Sequence, residues 1–334
     1  MRWVVASPYF EAPTDQWIVD AVDPGRHTFT LIPRVGEDRN WHQSSAKASP
    51  KEWVDRMRQA RAAFAHRDAG VVSVFPQLAA ACGLLKLVGR DRRPLVSWMF
   101  NTEGLHTPVK QRVARIVLEQ VDRFVVHTTI EIGGYSALLG LPEKRFEFVP
   151  FQYGGVVETA RPDTHDEPYV FATGSGYRDY ETFFEAMSKL GLRTLVLASD
   201  RALDGLTVPS NVTILDQLTR PEIRRLVRHA RVNVIPLNDQ ALTAGLVTIV
   251  ETFRHGRAVV ITNRPGLEDY VFEGKNALCS ELYDAKSMVE AIDAMWSDDE
   301  LRAELDANAE RFGEENCTDA AVGTELIRIL DDVS

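Results

Sequence analysis

The stretch Thr243–Tyr270 reads T-A-G-L-V-T-I-V-E-T-F-R-H-G-R-A-V-V-I-T-N-R-P-G-L-E-D-Y and is the most informative part of the chain. Its first residues, up to Gly245, predict a small-residue loop. A helix of about two and a half turns that ends at Gly256 is predicted next, followed by a buried β-branched strand over Ala258 to Ile261. A helix N-terminus offers unpaired amides and the positive end of a dipole, and a glycine there lets an anion approach the backbone. The stretch therefore predicts an α/β unit with an anion-binding loop.

Glu251 lies six residues after Gly245, on the side of the predicted helix that faces inward with Val247, Ile249 and Val250. A carboxylate among apolar residues needs polar partners, and sugar hydroxyls would supply them. The stretch resembles the donor-binding element of GT-B glycosyltransferases, particularly retaining enzymes of the family 4 (group 1) kind. The residues that match are Gly245-Leu246, Glu251, Gly256, Val259-Val260-Ile261 and Pro265-Gly266. The place of the family's first glutamate, which helps to grip the donor sugar, is taken by Thr243.

Strands alternate with helices in both halves of the chain, which predicts an α/β fold. The resemblance implies a GT-B architecture of two Rossmann-like domains that face an interdomain cleft, with a C-terminal helix that crosses back to the N-terminal domain. We place an acceptor-side domain at residues 1–152, a linker at 153–167 and a nucleotide-sugar-binding domain at 168–334. The last helix, 318–330, is the one expected to pack on the N-terminal domain.

Composition indicates a soluble globular protein and excludes several other classes. The chain has 334 residues, 45% hydrophobic, 26% charged, with a net charge of −10. Residues 1–150 carry +4 and residues 151–334 carry −14, and this spread argues against nucleic-acid binding, which needs a concentrated basic face. Apolar runs are too short to cross a bilayer, and the three widely spaced cysteines fit a reducing compartment. A cytoplasmic protein is expected, with the basic N-terminal half a candidate for peripheral contact with the inner face of a bacterial membrane.

The donor side is predicted from two further loops. In the family, a glycine-rich loop follows the first strand of the second domain, and here the corresponding loop contains Gly174, Gly176 and Arg178. By the resemblance, Arg178 is the cation for the donor diphosphate, because a guanidinium can hold two phosphate oxygens. The turn at Gln217-Leu218 matches where the family seats the nucleotide base. Together with the loop of the opening stretch, the predicted donor-binding residues are Gly174, Gly176, Arg178, Gln217, Leu218, Thr243, Ala244, Gly245, Leu246, Val247, Thr248 and Glu251.

On the acceptor side the sequence leaves alternatives open. Tyr9, Phe10 and Asp15 follow the first predicted strand and either contact the acceptor or pack their own loop. Asn101 and Glu103 follow another buried strand and either face the acceptor, with Glu103 as a general base, or cap the next helix. His127, at the end of a strand, is either a structural group or a contact for donor phosphate or acceptor.

The predicted helix that begins at Ser49-Pro50-Lys51-Glu52 carries Trp53, Met57, Ala60 and Phe64 on one side and several arginines elsewhere. Such a helix either lies on a membrane surface or packs its apolar side into the core.

The sequence predicts a glycosyltransferase that moves a sugar from a nucleotide diphosphate donor, with UDP as the expected nucleotide, to a glycan or lipid-linked acceptor. Retention of anomeric configuration is implied by the resemblance. No cofactor beyond the donor and no metal are expected, because no D-x-D motif stands in a plausible metal-binding loop and the helix dipole with Arg178 would replace the ion. Two alternatives remain: a sugar-nucleotide epimerase or hydrolase on the same fold, and an inactive sugar-nucleotide-binding subunit, which Thr243 in place of glutamate suggests.

Overall fold

The computed structural model describes residues 1–36, 49–102, 107–154 and 167–334. The chain divides into two compact units. Unit 1 contains Met1–Pro150 and Asp319–Ser334, and unit 2 contains Phe151–Thr318. Most of the predicted linker lies outside the described residues.

Unit 1 is built on a parallel sheet of six strands. The strands are β1 Arg2–Ala6, β2 Thr28–Ile32, β3 Ala69–Val74, β4 Leu95–Trp98, β5 Arg123–Val126 and β6 Phe146–Phe148. The helices are α1 Pro50–Phe64, α2 Pro76–Gly89, α3 Pro108–Leu118 and α4 Ile130–Leu139. The strand order is β2-β1-β3-β4-β5-β6, so the direction of winding reverses between β1 and β3. In open α/β sheets such a switch point marks where ligands bind, beyond the carboxyl ends of the strands.

The two faces of this sheet are covered by different parts of the chain. One face forms a core with α1 to α4, in which Val4, Val71 and Leu95 are fully or almost fully buried. The other face is covered in part by the helix α11, Asp319–Val333, whose apolar side joins Trp3 and Val5 in a second core. Residues from the C-terminus therefore complete the core of unit 1.

Unit 2 contains a second parallel sheet of six strands. The strands are β7 Val170–Thr173, β8 Thr194–Leu197, β9 Val212–Leu215, β10 Val232–Ile235, β11 Val259–Thr262 and β12 Ala277–Ser280. The helices are α5 Tyr180–Leu190, α6 Asp200–Leu203, α7 Arg220–His229, α8 Leu246–Arg254, α9 Ala285–Ser297 and α10 Asp299–Asn316. From β9 to β12 the order is β9-β8-β7-β10-β11-β12. This is the doubly wound order of dinucleotide-binding folds, with its switch point between β7 and β10.

Local sequence signals account for several helix starts. Ser49 and Glu52 form a reciprocal capping box at the predicted start of α1. At α7 the carboxylate of Glu222 accepts from the amide and the hydroxyl of Thr219. The run Ser297-Asp298-Asp299-Glu300 has the pattern of a capping box that would begin at Ser297, but Ser297 ends α9, and the side chain of Asp298 caps α10 by accepting from the amides of Glu300 and Leu301. An aspartate cap there satisfies amides that would otherwise be unpaired.

The predicted apolar side of α1 is correct only in part. Ala60 is buried, and Met57 and Phe64 are partly buried against the core. Trp53 is exposed, whereas the polar Gln59 is fully buried. Its amide nitrogen lies within hydrogen-bond distance of three main-chain carbonyls, those of Ser7, Ile32 and Pro33, and its amide oxygen has no hydrogen-bond partner among the described residues. These bonds offset part of the cost of burying the amide, so hydrophobicity alone does not identify the packed face.

Candidate active site

The loops after β7 and β10 meet at the switch point of unit 2. The amide of Asp179 donates to the carbonyl of Pro236 (2.9 Å), and the amide of Asn238 donates to the carbonyl of Tyr177 (3.1 Å). These bonds join residues that are about 60 positions apart in the sequence, so the two loops form one surface at the carboxyl edge of the sheet. The predicted donor-binding residues lie on this surface or just below it, apart from the Gln217-Leu218 turn.

Arg178 is held in a fixed position at the junction of the two loops. Its Nε donates to the carbonyl of Thr173 (3.2 Å), Nη1 to that of Gly176 (2.9 Å) and Nη2 to the hydroxyl of Thr248 on α8 (3.0 Å). Burial lowers the pKa of Arg178, but a guanidinium keeps its charge in proteins. The structure thus brings Arg178 and Thr248 together, as a diphosphate site requires.

Gly174 is necessary for this arrangement of Arg178. Its φ is +110°, and a Cβ at this position would lie 2.5 Å from Nη2 of Arg178. Any side chain would displace the guanidinium or its own backbone. Gly176, by contrast, has open space around the position of a Cβ, so its role is not steric exclusion.

Helix α8 begins immediately after Gly245, as predicted. Gly245 has a φ of +92°, and a Cβ there would lie 3.3 Å from both methyl carbons of Leu237, so glycine is favoured by conformation and by packing below the loop. No side chain caps the first turn within the described part of the chain. Ala244 and Leu246 are buried, whereas Val247 is 54% exposed, which corrects the prediction that Val247 faces inward with Ile249 and Val250. The N-cap residue Gly245 therefore offers no side chain to the first amides of α8.

The loop before α8 rests on residues that follow β11. The guanidinium of the buried Arg264 donates to the carbonyls of Asn238 and Ala241. Gly266 packs so closely below the loop that a Cβ would lie 2.3 Å from the carbonyl oxygen of Leu242. The Pro265-Gly266 turn thus supports the backbone of the loop.

Glu251 lies half-buried on α8, about one turn after Thr248. Its Oε1 accepts a hydrogen bond from the phenol of Tyr153 (2.5 Å), and the same phenol oxygen accepts from Nε of Arg224 (2.8 Å). Burial first, and then the charge of Glu251, raise the pKa of Tyr153, so the phenol stays protonated and donates. The structure places Glu251 in this network; its predicted contact with a sugar hydroxyl stays a prediction.

The predicted base-binding turn follows β9, the outermost strand on that side of the sheet. Gln217 is exposed and has a φ of +53°, an uncommon conformation for a residue other than glycine. The side chain of Leu218 is partly buried and packs against the core cluster that includes Tyr169. Strands lie about 4.8 Å apart, so β9 is about 10 Å from β7.

Left-handed backbone is concentrated at the carboxyl edges of the sheets. Among the described residues other than glycine, six have positive φ, and five of these follow parallel strands within a few residues; they are Phe75, Met99, Tyr177, Gln217 and Tyr283, with Arg90 the sixth. Such strain is retained where the surrounding structure imposes it and is frequent at functional sites.

The acceptor candidates of unit 1 have different environments. Tyr9 is half-exposed, and its ring contacts that of Phe75 (5.3 Å between centroids) at the switch point between β1 and β3. Phe10 is only 4% exposed and packs in the core, and the carboxylate of Asp15 accepts from the amides of Glu11 and Ala12. For Phe10 and Asp15 the structure favours packing of their own loop over contact with the acceptor, because Phe10 is buried in the core and Asp15 bonds to amides of the loop.

His127 is buried, and its Nδ1 donates to the carbonyl of Val149 (2.8 Å). Burial lowers its pKa to about 4, so the imidazole is neutral at pH 7 and cannot offer positive charge to a phosphate. The structural alternative is favoured for this residue. Asn101 is exposed, with the Tyr135 hydroxyl 3.5 Å from its Oδ1, and Glu103 lies outside the described residues.

Four residues of these networks were missed from the sequence: Tyr153, Arg224, Arg264 and Phe75. Tyr153 and Arg224 are separated from Glu251 by 98 and 27 positions, and no local pattern relates them. Arg264 could have been identified, since it lies in the Thr243–Tyr270 stretch, directly before Pro265-Gly266. In the described part of the chain, no group of three or more His, Cys, Asp or Glu side chains is placed to hold a metal ion.

Comparisons with known proteins match part of unit 2 to a protein family and the whole chain to solved folds. Residues 201–312 match the family model for glycosyl transferases group 1, a region that contains α8 and its loop. No curated protein gives a significant match. Among solved structures, sucrose-phosphate synthase from Thermosynechococcus elongatus is similar, with a TM-score of 0.73 and 15% identity over 99% of this chain and 98% of that chain.

Two further solved structures share the fold over nearly the whole chain. HepE of Anabaena in complex with UDP has a TM-score of 0.69 and 10% identity, covering 99% of this chain and 100% of the other. WaaG, a glycosyltransferase involved in lipopolysaccharide biosynthesis, has a TM-score of 0.62 and 13% identity, covering 98% and 99%. Unit 2 thus contains a region that matches the glycosyl transferases group 1 model, and the whole chain has the GT-B fold, with two Rossmann-like domains. This confirms the prediction of class and fold made from the Thr243–Tyr270 stretch.

Proposed function

We propose that the protein transfers a sugar from a nucleotide diphosphate donor, and that the donor diphosphate binds where Arg178 meets the first turn of α8. The observation that carries the proposal is the arrangement of three elements at one switch point. They are a guanidinium bonded to Thr248, a glycine at 174 that leaves room for it, and a helix N-terminus without a side-chain cap. Each terminal nitrogen of Arg178 has a second N–H hydrogen for an anionic oxygen, and the amides of α8 add further donors.

The same surface suits the leaving group of the reaction. When the sugar is transferred, the bond from its anomeric carbon to the β-phosphate oxygen breaks, a bond to the acceptor oxygen forms and the acceptor hydroxyl loses its proton. Negative charge grows on the departing diphosphate, where fixed N–H donors stabilise it in the transition state. Retention of configuration and independence from metal are part of the proposal, on the basis of the family resemblance. Glu103 stays the proposed general base.

The rest of the nucleotide fits the dimensions of unit 2. The turn at Gln217 lies about 10 Å from the diphosphate position, two strands away, which suits the length of a nucleoside between phosphate and base. Solved structures of HepE contain UDP or UDP-glucose, which supports UDP as the nucleotide. Glu251 is proposed to bind the ribose.

On the acceptor side, we assign Tyr9 and Phe75 to contact with a glycan or lipid-linked acceptor. The two rings lie at the switch point of unit 1, Tyr9 is half-exposed, and sugars pack on aromatic faces.

Nucleotide binding tests the proposal directly. Wild-type protein is expected to bind UDP in calorimetry, and Arg178→Gln to weaken binding by about 10- to 100-fold, since a charged hydrogen bond contributes about 1.5–3 kcal/mol. Arg311→Gln is the control, because Arg311 is exposed on α10 and its side chain bonds to Asn308 of the same helix. No binding of UDP, GDP or ADP by the wild type would contradict the proposal.

Turnover separates the enzyme from its alternatives. Release of UDP from a UDP-sugar that depends on added acceptor supports transfer, and release without any acceptor indicates a hydrolase. Binding without turnover under all acceptors would favour the inactive subunit that Thr243 suggested. Glu251→Ala and Arg178→Ala serve as controls that should abolish any genuine turnover.

Peripheral membrane contact is assigned to α3 instead of α1. Within the described residues no helix is long and apolar enough to cross a membrane. Helix α3 exposes Val109, Val113 and Ile116 at 74%, 56% and 49%, a spacing that puts them on one face. The helix also contains three basic residues and no acidic one, which complements an anionic lipid surface.

Co-sedimentation with lipid vesicles tests this contact. Vesicles containing phosphatidylglycerol are expected to bind the protein and pure phosphatidylcholine vesicles to bind it weakly, because each basic residue contributes about 1 kcal/mol near an anionic surface. The double variant Val113→Ser/Ile116→Ser should lose this binding. Val208→Ser, at an exposed valine of unit 2, should not. Equal binding to both lipids would overturn the assignment.

A further inference from the structure

Glu251 is held by a chain of hydrogen bonds that begins on another helix. The phenol of Tyr153 donates to Oε1 of Glu251 (2.5 Å), and Nε of Arg224, on α7, donates to the phenol oxygen (2.8 Å). The guanidinium of Arg224 also lies over the Tyr153 ring, 5.4 Å from its centroid. The phenol can donate only one hydrogen, and Arg224 occupies the oxygen as an acceptor, so that hydrogen is directed at Glu251.

Tyr153 itself is anchored on several sides. Its amide donates to the carbonyl of Cys317 (2.9 Å), and its carbonyl accepts from Nε of Arg254 (3.4 Å). Its ring meets that of His255 edge to face (5.9 Å), and Nδ1 of His255 in turn donates to the main-chain carbonyl of Glu251 (2.7 Å). Both ends of the Glu251 residue, main chain and carboxylate, are thus fixed by the same group of side chains.

We propose that Tyr153 is a positioning residue that fixes the carboxylate of Glu251 so that its second oxygen accepts a hydrogen bond from a ribose hydroxyl of the donor. This inference rests on the proposed function. A glutamate side chain has three rotatable bonds, and holding Oε1 in place removes most of that freedom before the ligand arrives. Arg224 keeps the phenol pointing toward Glu251, so it acts one step further from the ligand.

The proposal distinguishes ribose recognition from general stability. Tyr153→Phe removes one hydroxyl and keeps the ring, so the anchoring contacts of the ring and main chain stay. In this variant UDP affinity is expected to fall by about 10-fold. The affinities of the wild type for 2′-deoxy-UDP and 3′-deoxy-UDP are compared to identify the ribose hydroxyl from which Glu251 accepts a hydrogen bond. For the analogue lacking that hydroxyl, wild type and Tyr153→Phe should bind within about twofold of each other, since the interaction that Tyr153 supports is absent in both.

Calorimetry with these three nucleotides on wild type, Tyr153→Phe, Glu251→Ala and the double variant forms the experiment. If Tyr153 acts through Glu251, its substitution changes UDP affinity little once Glu251 is alanine. Tyr169→Phe is the matched control: it removes a buried phenol bond to the Leu226 carbonyl in the same unit and should leave the discrimination between UDP and its deoxy analogues unchanged. Thermal melting confirms that each variant is folded.

The inference is overturned if Tyr153→Phe weakens UDP and the deoxy analogues equally, if it leaves UDP affinity unchanged, or if it strengthens it. In each of these cases wild-type binding of UDP and its weakening by Arg178→Gln would leave the proposed function standing. A wild-type protein that binds none of UDP, GDP or ADP would overturn both, so the two failures can be told apart.

Discussion

Arg178 is arranged for an anionic ligand before any ligand binds. Its guanidinium donates to two carbonyls and to the Thr248 hydroxyl, and it lies against Gly174. The freedom of a long side chain is therefore lost when the protein folds and not when the donor binds, which favours tight binding. The sequence predicted the identity of this cation from its place before α5, but not its bond to Thr248, because that residue lies 70 positions away on α8.

His127 makes the stability of unit 1 depend on pH. Its folded pKa of about 4 lies below the ordinary value of 6.5, so between these values the unfolded chain binds more protons than the folded one. Stability is then fully present above pH 6.5, falls as the pH is lowered toward 4 and changes no further below that. Lowering the pH from 7 to 4.5 should cost about 2 kcal/mol through this residue.

Urea unfolding of wild type and His127→Asn at both pH values measures the effect. Five of the six tryptophans precede residue 150, so tryptophan fluorescence reports mainly on unit 1. The variant should lose about 2 kcal/mol less than wild type on acidification, because Glu131, Asp331 and the other groups that titrate are common to both. An equal loss in the two proteins would show that His127 is protonated without penalty in the folded state.

At the scale of elements, the donor loop is a backbone surface supported from below. Arg264 and Gly266, which follow β11, hold the carbonyls of the loop between β10 and α8. The elements themselves were predictable: the capping boxes of α1 and α7 and the strands flanking α8 follow from local sequence. Strand β12 was missed because it has only four residues, two of which are partly exposed. It lies at the edge of the sheet and pairs with β11 there.

The packing of Gly266 against the loop gives a test with a close control. Gly266 (φ +96°) and Gly274 (φ +68°) both have left-handed backbone, but a Cβ at 266 would clash with the Leu242 carbonyl, whereas nothing lies within 4 Å at 274. Gly274→Ala should cost about 1–2 kcal/mol from conformation alone. Gly266→Ala should cost about 1–3 kcal/mol more from overpacking and should also weaken UDP binding.

Thermal melting and calorimetry of both variants measure this difference. If Gly266→Ala were no less stable than Gly274→Ala and bound UDP equally well, the loop would not depend on the turn below it. Loss of UDP binding in Gly274→Ala would also contradict the expectation, since that glycine supports no part of the donor loop.

At the scale of the whole molecule, the chain builds unit 1 from two separate segments. Helix α11 contributes Val322, Leu326, Ile329 and Leu330 to the core formed on β1, β3 and β4. At Gly323 the helix approaches the main chain of Ile18, since a Cβ there would lie 2.9 Å from its carbonyl oxygen. The family resemblance predicted a returning C-terminal helix, whereas nothing in the sequence around Phe10 or Trp53 revealed which apolar residues join which core.

Substitution of one α11 residue should affect unit 1 alone. Leu326 is fully buried, and Leu326→Ala should cost about 3 kcal/mol through the cavity it leaves. Amide hydrogen exchange should lose protection in β1 and β3 and keep it in β7 and β10. Leu305→Ala, at a fully buried residue of α10 in unit 2, should give the opposite pattern. Equal loss in both sheets would show that the two units unfold together.

Because α11 begins at Asp319, the first 150 residues are synthesised well before the helix that covers part of one face of their sheet. At a synthesis rate of about 5–20 residues per second, that face of the sheet stays uncovered for roughly 10–40 s. During translation the nascent chain therefore exposes the Trp3 and Val5 side of the sheet until α11 has been made.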